Sequence, residues 1–355
     1  QEQEFIDEGR KPVVRFKTPQ DGTLKVNDLI RGEVEFDNST LQDTVLLKSD
    51  GFPTYHLAHI VDDHLMEISH VTRSIEWLPS LPFHVHLWQA FGWEMPQYAH
   101  LPVLLNPNGK GKLSKRHAGF SQNGKQVLVL VQEFEDAGYY APAVVNFLTN
   151  IGWNFGDERE VFDGQEAIER FDITEVNPAN SAYPIEKLDW LNGIYIREKM
   201  NVEELASHLK PHLENAGFTV TDDVLLKVAP VVQTRIKTFA DIVDLAGFFF
   251  KDYAEFTAPT AEELIQKKMD EETTLNALIA TGDLLEKVDS MEHQALYEAM
   301  KALAKDIGLK NGQLFGTQRV AITGQTISTP TFETMEILGK EETLRRIKLA
   351  ADVFA

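Results

Sequence analysis

The feature that most constrains this chain is a cation-only window in an otherwise strongly acidic sequence. The formal net charge is −21, yet the chain carries no aspartate or glutamate between Glu94 and Glu133. An apolar stretch at residues 101–105 leads through a glycine-rich turn into a basic segment at residues 112–116. A strand that ends in a glycine-hinged basic loop suits polyphosphate binding, because ammonium groups offset phosphate charge and Ser114 adds a hydroxyl donor. A solvated surface turn is the alternative interpretation of the same residues.

The apolar pattern around this window predicts an open α/β sheet. Alternating residues between 12 and 48 predict short strands. Helical spacing follows at residues 54–66, a short branched strand at 68–73 and a second helix at 82–91. The apolar run at 101–105 then predicts another strand. A functional loop at the carboxyl end of a strand is typical of open α/β sheets.

Beyond about residue 120 the chain changes to helical periodicity. Asn201 is placed to cap a helix, with Glu204 three residues later. Apolar stripes at this spacing favour core packing over ligand binding. The stretches that carry the spacing are 142–151, 201–213, 242–253, 296–307 and 344–354.

Length and composition exclude several classes of protein. A chain of 355 residues predicts two or three domains, and no apolar run approaches the roughly 18 residues that span a bilayer. The absence of cysteine excludes disulfides, thiolate catalysis and cysteine-ligated zinc, and it fits a reducing compartment. The negative charge argues against indiscriminate nucleic-acid binding but allows a specific site with clustered cations. The start at Gln1, which is not methionine and leads at once into polar sequence, predicts a fragment, a cleaved product or a cloned piece of a longer protein.

A group of polar aromatic and charged residues precedes the basic segment. On a helix, Tyr55, His59 and Asp63 recur every four residues and share one face, and Arg73 follows on the next element. A phenol, an imidazole and a guanidinium that converge there could hold a small dicarboxylate. Two alternatives stay open, namely packing or surface histidines and a metal site. The metal site would use His56, His59, Asp63 and His64.

The order of these polar residues and of the basic segment along the chain closely resembles that in the bacterial-type glutamyl-tRNA synthetases, a family of class I aminoacyl-tRNA synthetases. The basic segment resembles the family's Lys-Met-Ser-Lys-Ser motif in its glutamyl variant, which ends in Lys-Arg. The resemblance covers almost the whole chain. The matching stretches are 50–63, 69–73, 76–77, 112–116, 143–148, 152–153, 187–193, 319–324 and 338–341.

The resemblance implies specific roles for these residues. Tyr55 and Arg73 match positions that bind glutamate, and Arg73 pairs with its side-chain carboxylate. His59 matches a third substrate-side position, where asparagine and other residues also occur. Glu76 and Trp77 match positions beside ATP and the acceptor end of the tRNA. In the basic segment, the resemblance implies catalytic roles for Lys112, Ser114, Lys115 and Arg116 and ATP contacts from Leu113 and Lys115.

The resemblance also implies the reaction and its partners. Glutamate attacks the α-phosphate of Mg-ATP to give glutamyl adenylate and pyrophosphate, and the terminal ribose of tRNA(Glu) then takes the glutamyl group. No protein nucleophile is required, because positioning and charge stabilisation suffice. We expect ATP with Mg²⁺ as a substrate, no protein-bound zinc or other metal, a monomer without membrane contact, and a cytoplasmic or organellar location.

The family's organisation predicts five regions. Residues 1–48 resemble the end of the acceptor-binding insertion, and residues 49–117 the second half of the Rossmann-like catalytic domain. A stem-contact region at 118–200 and two helical anticodon-binding subdomains at 201–280 and 281–355 follow. This helical end separates the chain from glutaminyl-tRNA synthetases, which end in β-barrels, and from short glutamyl-queuosine paralogues. The candidate tRNA contacts there are Arg235, Lys237, Arg319 and Arg345, for which a solvated surface role is the alternative.

The 355 residues lack a match to the family's first nucleotide-binding half, with its His-x-Gly-His motif. We therefore expect this polypeptide by itself not to activate glutamate, because half of the ATP site is missing from it. Detectable glutamate-dependent pyrophosphate exchange by the purified 355-residue chain would contradict that expectation. The main rival hypothesis is a truncated homologue that binds tRNA without ligase activity. A third hypothesis is a degenerate structural paralogue, which the intact Tyr55, Arg73 and residues 112–116 disfavour.

Overall fold

A computed structural model of the protein describes residues 2–9, 11–114, 121–122, 125–251 and 253–354. They divide into two compact units, one of residues 1–129 with 145–185 and one of residues 130–144 with 186–355. The strands are β1 (Val14–Arg15), β2 (Thr23–Asp28), β3 (Gly32–Asp37), β4 (Val45–Leu47), β5 (His70–Ser74), β6 (Gln97–Leu101), β7 (Leu104–Leu105), β8 (Ser121–Gln122), β9 (Lys125–Gln126) and β10 (Ser181–Ala182).

The described α-helices concentrate in the second half of the chain. They are α1 (Glu2–Asp7), α2 (Tyr55–Leu65), α3 (Leu81–Phe91), α4 (Val131–Asp136), α5 (Ala141–Gly152), α6 (Gly164–Arg170), α7 (Ile185–Ile194), α8 (Val202–Asn215), α9 (Asp222–Gln233), α10 (Asp241–Ala246), α11 (Ala261–Leu264), α12 (Glu271–Lys287), α13 (His293–Asp306), α14 (Asn311–Thr323) and α15 (Thr331–Asp352). Among the residues that the structure describes, none of the helices is both long and apolar enough to cross a membrane.

A four-stranded mixed sheet organises the first unit, in the order β3-β2-β6-β5. Strands β5 and β6 are parallel, with Arg73 opposite His100, and α3 is the crossover helix between them. Tyr98, Ala99 and His100 are all buried, as expected for a parallel strand that is covered on both faces. The predicted α/β fold is therefore confirmed, and the sheet brings Arg73 beside a buried part of β6.

Helices α2 and α3 pack together beside this sheet. Ile60 of α2 joins Phe83, Leu87 and Trp88 of α3 in one apolar cluster, and the indole N–H of Trp88 donates to the Tyr98 hydroxyl at 3.1 Å. Pro82 occupies the first turn of α3, where its missing N–H costs no helical hydrogen bond. The helices predicted over 54–66 and 82–91 are thus confirmed, with ends displaced by at most one residue.

The apolar run at 101–105 was predicted as one strand, and that prediction is wrong. Strand β6 ends at Leu101 and β7 begins at Leu104, with Pro102 between them, which cannot donate to a strand ladder. The loop after β7 folds back on it, since the Leu113 N–H donates to the Leu104 carbonyl at 2.8 Å. The basic segment therefore starts from a short hairpin rather than from the end of a long strand.

The second unit has an all-helical core that joins α8, α9 and α10 to α12 through α15. Asn201 caps α8 as predicted, because its side-chain oxygen accepts from the Glu204 N–H at 2.8 Å. Helix α15 is kinked at Gly339, whose φ of 78° and ψ of 169° lie in a region that only glycine adopts readily.

The prediction of one helical face over 242–253 is wrong. Helix α10 ends at Ala246, and a 3₁₀ turn, Gly247–Phe249, replaces its next turn. The Phe218 ring packs so close to Gly247 that a β-carbon there would lie 2.9 Å from it. Phe248 and Phe249 are buried, so the break lets consecutive aromatic rings enter the core instead of following one helical face.

Candidate functional site

Arg73 on β5 lies at the centre of a polar cluster in the first unit. Its Nε donates to Nε2 of His100 at 3.0 Å, the residue opposite it on β6. Both of its terminal nitrogens contact Nδ1 of His84, on α3, at 3.2 Å. The guanidinium carbon also lies 5.0 Å from the centre of the Tyr98 ring, within cation–π distance. The guanidinium is therefore held by neutral acceptors and an aromatic face.

Aromatic side chains line the side of this cluster that is open to solvent. Tyr55 stacks on His59 with ring centres 4.7 Å apart and planes 10° apart, and its ring centre lies 4.5 Å from that of Trp77. Trp77 also lies 5.9 Å from the Arg73 guanidinium carbon. Tyr55 and Trp77 are 45% and 37% exposed, so a ligand can reach them. Tyr55, His59, Arg73 and Trp77 thus come together as one group.

The basic segment joins this group through an ion pair between Lys112 and Glu76. Glu76 lies on a 3₁₀ turn, Ile75–Ser80, which follows β5 directly. Its N–H donates to the Ser74 hydroxyl at 3.3 Å. The hydrogen bond from Lys112 holds the pKa of Glu76 below its ordinary value. Both side chains of the pair are about half exposed, so an incoming anion can compete for the lysine.

Of the other predicted residues of this segment, Leu113 and Ser114 are half-buried. Lys115 and Arg116, predicted as catalytic and, for Lys115, as a phosphate contact, lie outside the described residues. The two groups of residues that were predicted separately, around Arg73 and around Lys112, are therefore connected within the first unit.

Burial disfavours the charged form of three imidazoles in and beside this cluster. It lowers the pKa of His56 and His59, and it lowers the pKa of His84 to about 2, with further contributions from His59 and Arg73. Burial also raises the pKa of the Asp63 carboxyl. The positive charge of the cluster is therefore that of Arg73.

The alternative of a metal site at these histidines is not supported. Nδ1 of His56 lies 2.8 Å from Nε2 of His84, and His64 stacks on Trp93 with ring centres 4.0 Å apart. Within the described part of the chain, no three histidine, aspartate or glutamate side chains are grouped so as to hold a metal ion.

Sequence reasoning missed three residues of the cluster, namely His84, His100 and Asp28. All three are buried, and Asp28 accepts from Nδ1 of His100 at 2.6 Å. The sequence signal for His84 and His100 was a histidine inside an apolar stretch, a pattern that more often reflects ordinary packing. Asp28 gave no such signal. The three come from α3, β6 and β2.

The four candidate tRNA contacts lie in the second unit, in different environments. Arg235 and Lys237 are exposed on the segment that follows α9. Arg319 is half-buried, and its Nε is buried without a hydrogen bond among the described residues. Arg345 binds the buried carboxylate of Glu342 through Nε and one terminal nitrogen, at 2.7 and 2.8 Å.

Two protein-family models match the chain. That of the catalytic domain of class I tRNA synthetases for glutamate and glutamine matches residues 1–190, and that of an anticodon-binding domain matches residues 204–351. The match of the second model to a largely helical region agrees with the all-helical core of the second unit.

Curated relatives and solved structures agree with these models. The glutamate–tRNA ligase of Roseiflexus castenholzii is 42% identical over 362 residues, which cover 100% of this chain and 69% of the relative. That of Dehalococcoides mccartyi is 43% identical over 343 residues, with 95% and 68% covered. A crystal structure of a glutamate–tRNA ligase from Elizabethkingia meningosepticum, in complex with its amino acid, superposes with a TM-score of 0.81 at 31% identity, covering 99% of this chain and 70% of that one. The chain belongs to the glutamate–tRNA ligases, class I aminoacyl-tRNA synthetases that use ATP as a substrate.

Proposed function

We propose that glutamate is activated at a site bounded by the Arg73 cluster and by the segment that begins at Lys112. The observation that carries the proposal is the ion pair between Glu76 and Lys112. It joins the residues suited to an acidic amino acid to the residues suited to a polyphosphate, and an adenylate needs both.

In this proposal the side-chain carboxylate of glutamate binds the Arg73 guanidinium, and Tyr55 lies beside it. His59 adds an acceptor. Its Nδ1 lies 3.0 Å from the Tyr55 carbonyl oxygen, which can only accept, so Nδ1 carries the proton. Nε2 is then an acceptor, and it is buried without a partner among the described residues. A ligand ammonium group would satisfy it.

The ATP side of the proposed site begins at Trp77 and Glu76. Their exposed aromatic and carboxylate groups suit contact with a nucleoside. Lys112, Leu113 and Ser114 continue the site toward the phosphates, and Lys115 and Arg116 complete it in the proposal. Mg²⁺ enters with ATP as part of the substrate. In the proposal, the lysine ammonium groups and the Ser114 hydroxyl stabilise the negative charge that develops on the departing pyrophosphate.

The chemistry then needs no covalent bond to the protein. An α-carboxylate oxygen of glutamate attacks the α-phosphorus of ATP, the bond from that phosphorus to the bridging oxygen breaks, and pyrophosphate leaves. A hydroxyl of the terminal ribose of tRNA(Glu) next attacks the glutamyl carbonyl, and AMP leaves with the bonding electron pair. The protein contributes orientation and fixed charge.

We assign tRNA binding to the regions beyond residue 118, with stem contacts at 118–200 and anticodon contacts from the subdomains at 201–280 and 281–355. Arg235, Lys237, Arg319 and Arg345 are the proposed cationic contacts. Residues 1–48 belong to the acceptor-binding insertion and residues 49–117 to the catalytic domain.

We further propose that the protein acts as a monomer, without bound zinc, in the cytoplasm or an organellar matrix. The match to catalytic and anticodon-binding families disfavours a purely tRNA-binding homologue.

Two lysines of one loop test the proposal. Because these 355 residues by themselves are expected not to activate glutamate, the native protein in this and the later tests is a ligase of the relatives' full length, of which this chain covers 69%. In that protein, Lys112→Met is expected to lower kcat for glutamate-dependent pyrophosphate exchange by about 100-fold, because a fixed charge near the leaving group is lost. Lys110 is equally charged, lies two residues earlier and is also exposed, so Lys110→Met is the matched control and should leave kcat unchanged. Equal effects of the two substitutions would mean that the loop acts only through its total charge and would contradict the site as proposed.

A further inference from the structure

The Arg73 guanidinium is held from two directions by imidazole rings on different elements. We propose that His84 and His100 are positioning residues that aim this guanidinium at the substrate carboxylate. The inference rests on the proposed role of Arg73 in binding glutamate. It names the residues that orient the Arg73 guanidinium before glutamate binds, and the tautomers in which they do so.

The contacts of His100 determine which of its nitrogens carries the proton. A guanidinium can only donate, so Nε2, which lies 3.0 Å from Arg73 Nε, is the acceptor. Nδ1 therefore carries the proton and donates to Asp28 at 2.6 Å. Asp28 also accepts from the N–H groups of Ile30 and Arg31 at 3.0 Å. Burial would raise the pKa of Asp28, but these hydrogen bonds outweigh it and lower the pKa, so the carboxylate is ionised.

The same reasoning gives His84 the opposite tautomer. Its Nδ1 accepts from both terminal nitrogens of Arg73 at 3.2 Å, so the proton is on Nε2. That nitrogen lies 2.8 Å from Nδ1 of His56 and donates to it. The side chain of His84 is fully buried. A second proton would place a charged donor against the guanidinium, and burial opposes that charge.

Together these contacts leave one N–H on each terminal nitrogen of Arg73 for a ligand, since a guanidinium has five N–H groups and three are used. The orientation of those two groups is set before binding, so glutamate does not have to order a mobile side chain. Neutral acceptors also leave the positive charge of Arg73 uncompensated at short range. The charge of the guanidinium therefore favours a carboxylate over the neutral amide of glutamine.

Asparagine and glutamine substitutions separate this role from packing. An asparagine amide reaches about as far as Nδ1 of histidine, and a glutamine amide about as far as Nε2. His84→Asn therefore keeps an acceptor for Arg73. His84→Gln places its amide near His56 and leaves Arg73 without that acceptor. At position 100 the order reverses, because His100→Gln reaches Arg73 and His100→Asn reaches only Asp28.

In the native protein we expect a crossed result in steady-state aminoacylation. KM for glutamate should be lower with asparagine than with glutamine at position 84, and lower with glutamine than with asparagine at position 100, by about tenfold in each case, the usual effect of a hydrogen bond to a charged group. KM for ATP should change little in all four variants. Preference for the same amide at both positions, or equal KM values, would overturn the inference.

A measurement without substitutions provides the second test, since buried positions can fail to accept new residues. Nitrogen-15 NMR of the histidine-labelled native protein should find His84 protonated on Nε2 and His100 protonated on Nδ1. Either ring in the other tautomer would overturn the inference. If the tautomers and the crossed result both fail while Arg73 substitutions still weaken glutamate binding, the proposed function survives and only this inference is lost.

Discussion

Replacing Arg73 with alanine should raise KM for glutamate by about 100-fold or more in aminoacylation by the native protein. Loss of one partner from a desolvated, hydrogen-bonded charge pair commonly costs about 2 to 5 kcal/mol, largely because the other charge stays unpaired. Here the substrate carboxylate would meet the imidazole rings of His84 and His100 and no cation. The effect should fall on glutamate more than on ATP, because the hydrogen bonds of Arg73 described above go to His84 and His100, and its described approach to the ATP side is the 5.9 Å contact with Trp77.

Lysine and a distant arginine serve as controls for this prediction. Arg73→Lys keeps a positive charge but lacks the planar fork and the Nε that contacts His100, so it should recover only part of the lost affinity. Arg15, an exposed residue of the same unit that donates to the Asp43 carbonyl, should tolerate alanine without a change in KM. A normal glutamate KM in Arg73→Ala would contradict the proposed function itself.

Local periodicity was enough to predict the elements that carry the site. Tyr55 and His59 share a face because a helix places residues four apart side by side, and α2 does form there. The strand that bears Arg73 was predicted over 68–73 and is found at His70–Ser74. In such short segments the apolar spacing and the secondary structure are determined by the same neighbouring residues.

The interior of the site could not be predicted in this way. Arg73 meets His100 because two parallel strands pair across a crossover, and that contact joins residues 27 positions apart. Asp28 reaches His100 from 72 positions away, and Lys112 reaches Glu76 from 36. Such contacts depend on strand order and register, which are properties of the sheet and not of any one segment.

The last helix provides a similar contrast in the second unit. The apolar stripe from Leu344 to Phe354 was predicted to be core, and Ile347 is indeed buried. Glu342 and Arg346 have the spacing of an ordinary surface ion pair. They are instead 4% and 0% exposed at their side chains, and Arg346 also donates to the Ile322 carbonyl at 2.6 Å. Spacing along a helix does not reveal whether a charged pair faces water or the core.

Glu342→Gln should therefore destabilise the protein strongly, by about 3 to 5 kcal/mol, because it leaves the buried charge of Arg346 without its carboxylate. Glu341 is the matched control, since it is the neighbouring residue, carries the same group and is exposed. Its replacement by glutamine should change the free energy of unfolding little. Chemical denaturation of both variants, followed by circular dichroism, makes the comparison. Equal stabilities of the two variants would contradict the assigned role of Glu342.

The same pair predicts how the difference depends on pH. Burial would raise the pKa of Glu342, but hydrogen bonds from Arg345 and Arg346 outweigh it and hold the pKa below the ordinary value of 4.5. A group whose pKa is lowered on folding stabilises the native state above its unfolded pKa and loses that contribution as pH falls through the folded value. The gap in unfolding free energy between the native protein and Glu342→Gln should therefore be constant near neutral pH and shrink below about pH 4.5. A gap that grew on acidification would mean that Glu342 is protonated more readily in the folded protein, and Arg346 would then need another counter-charge.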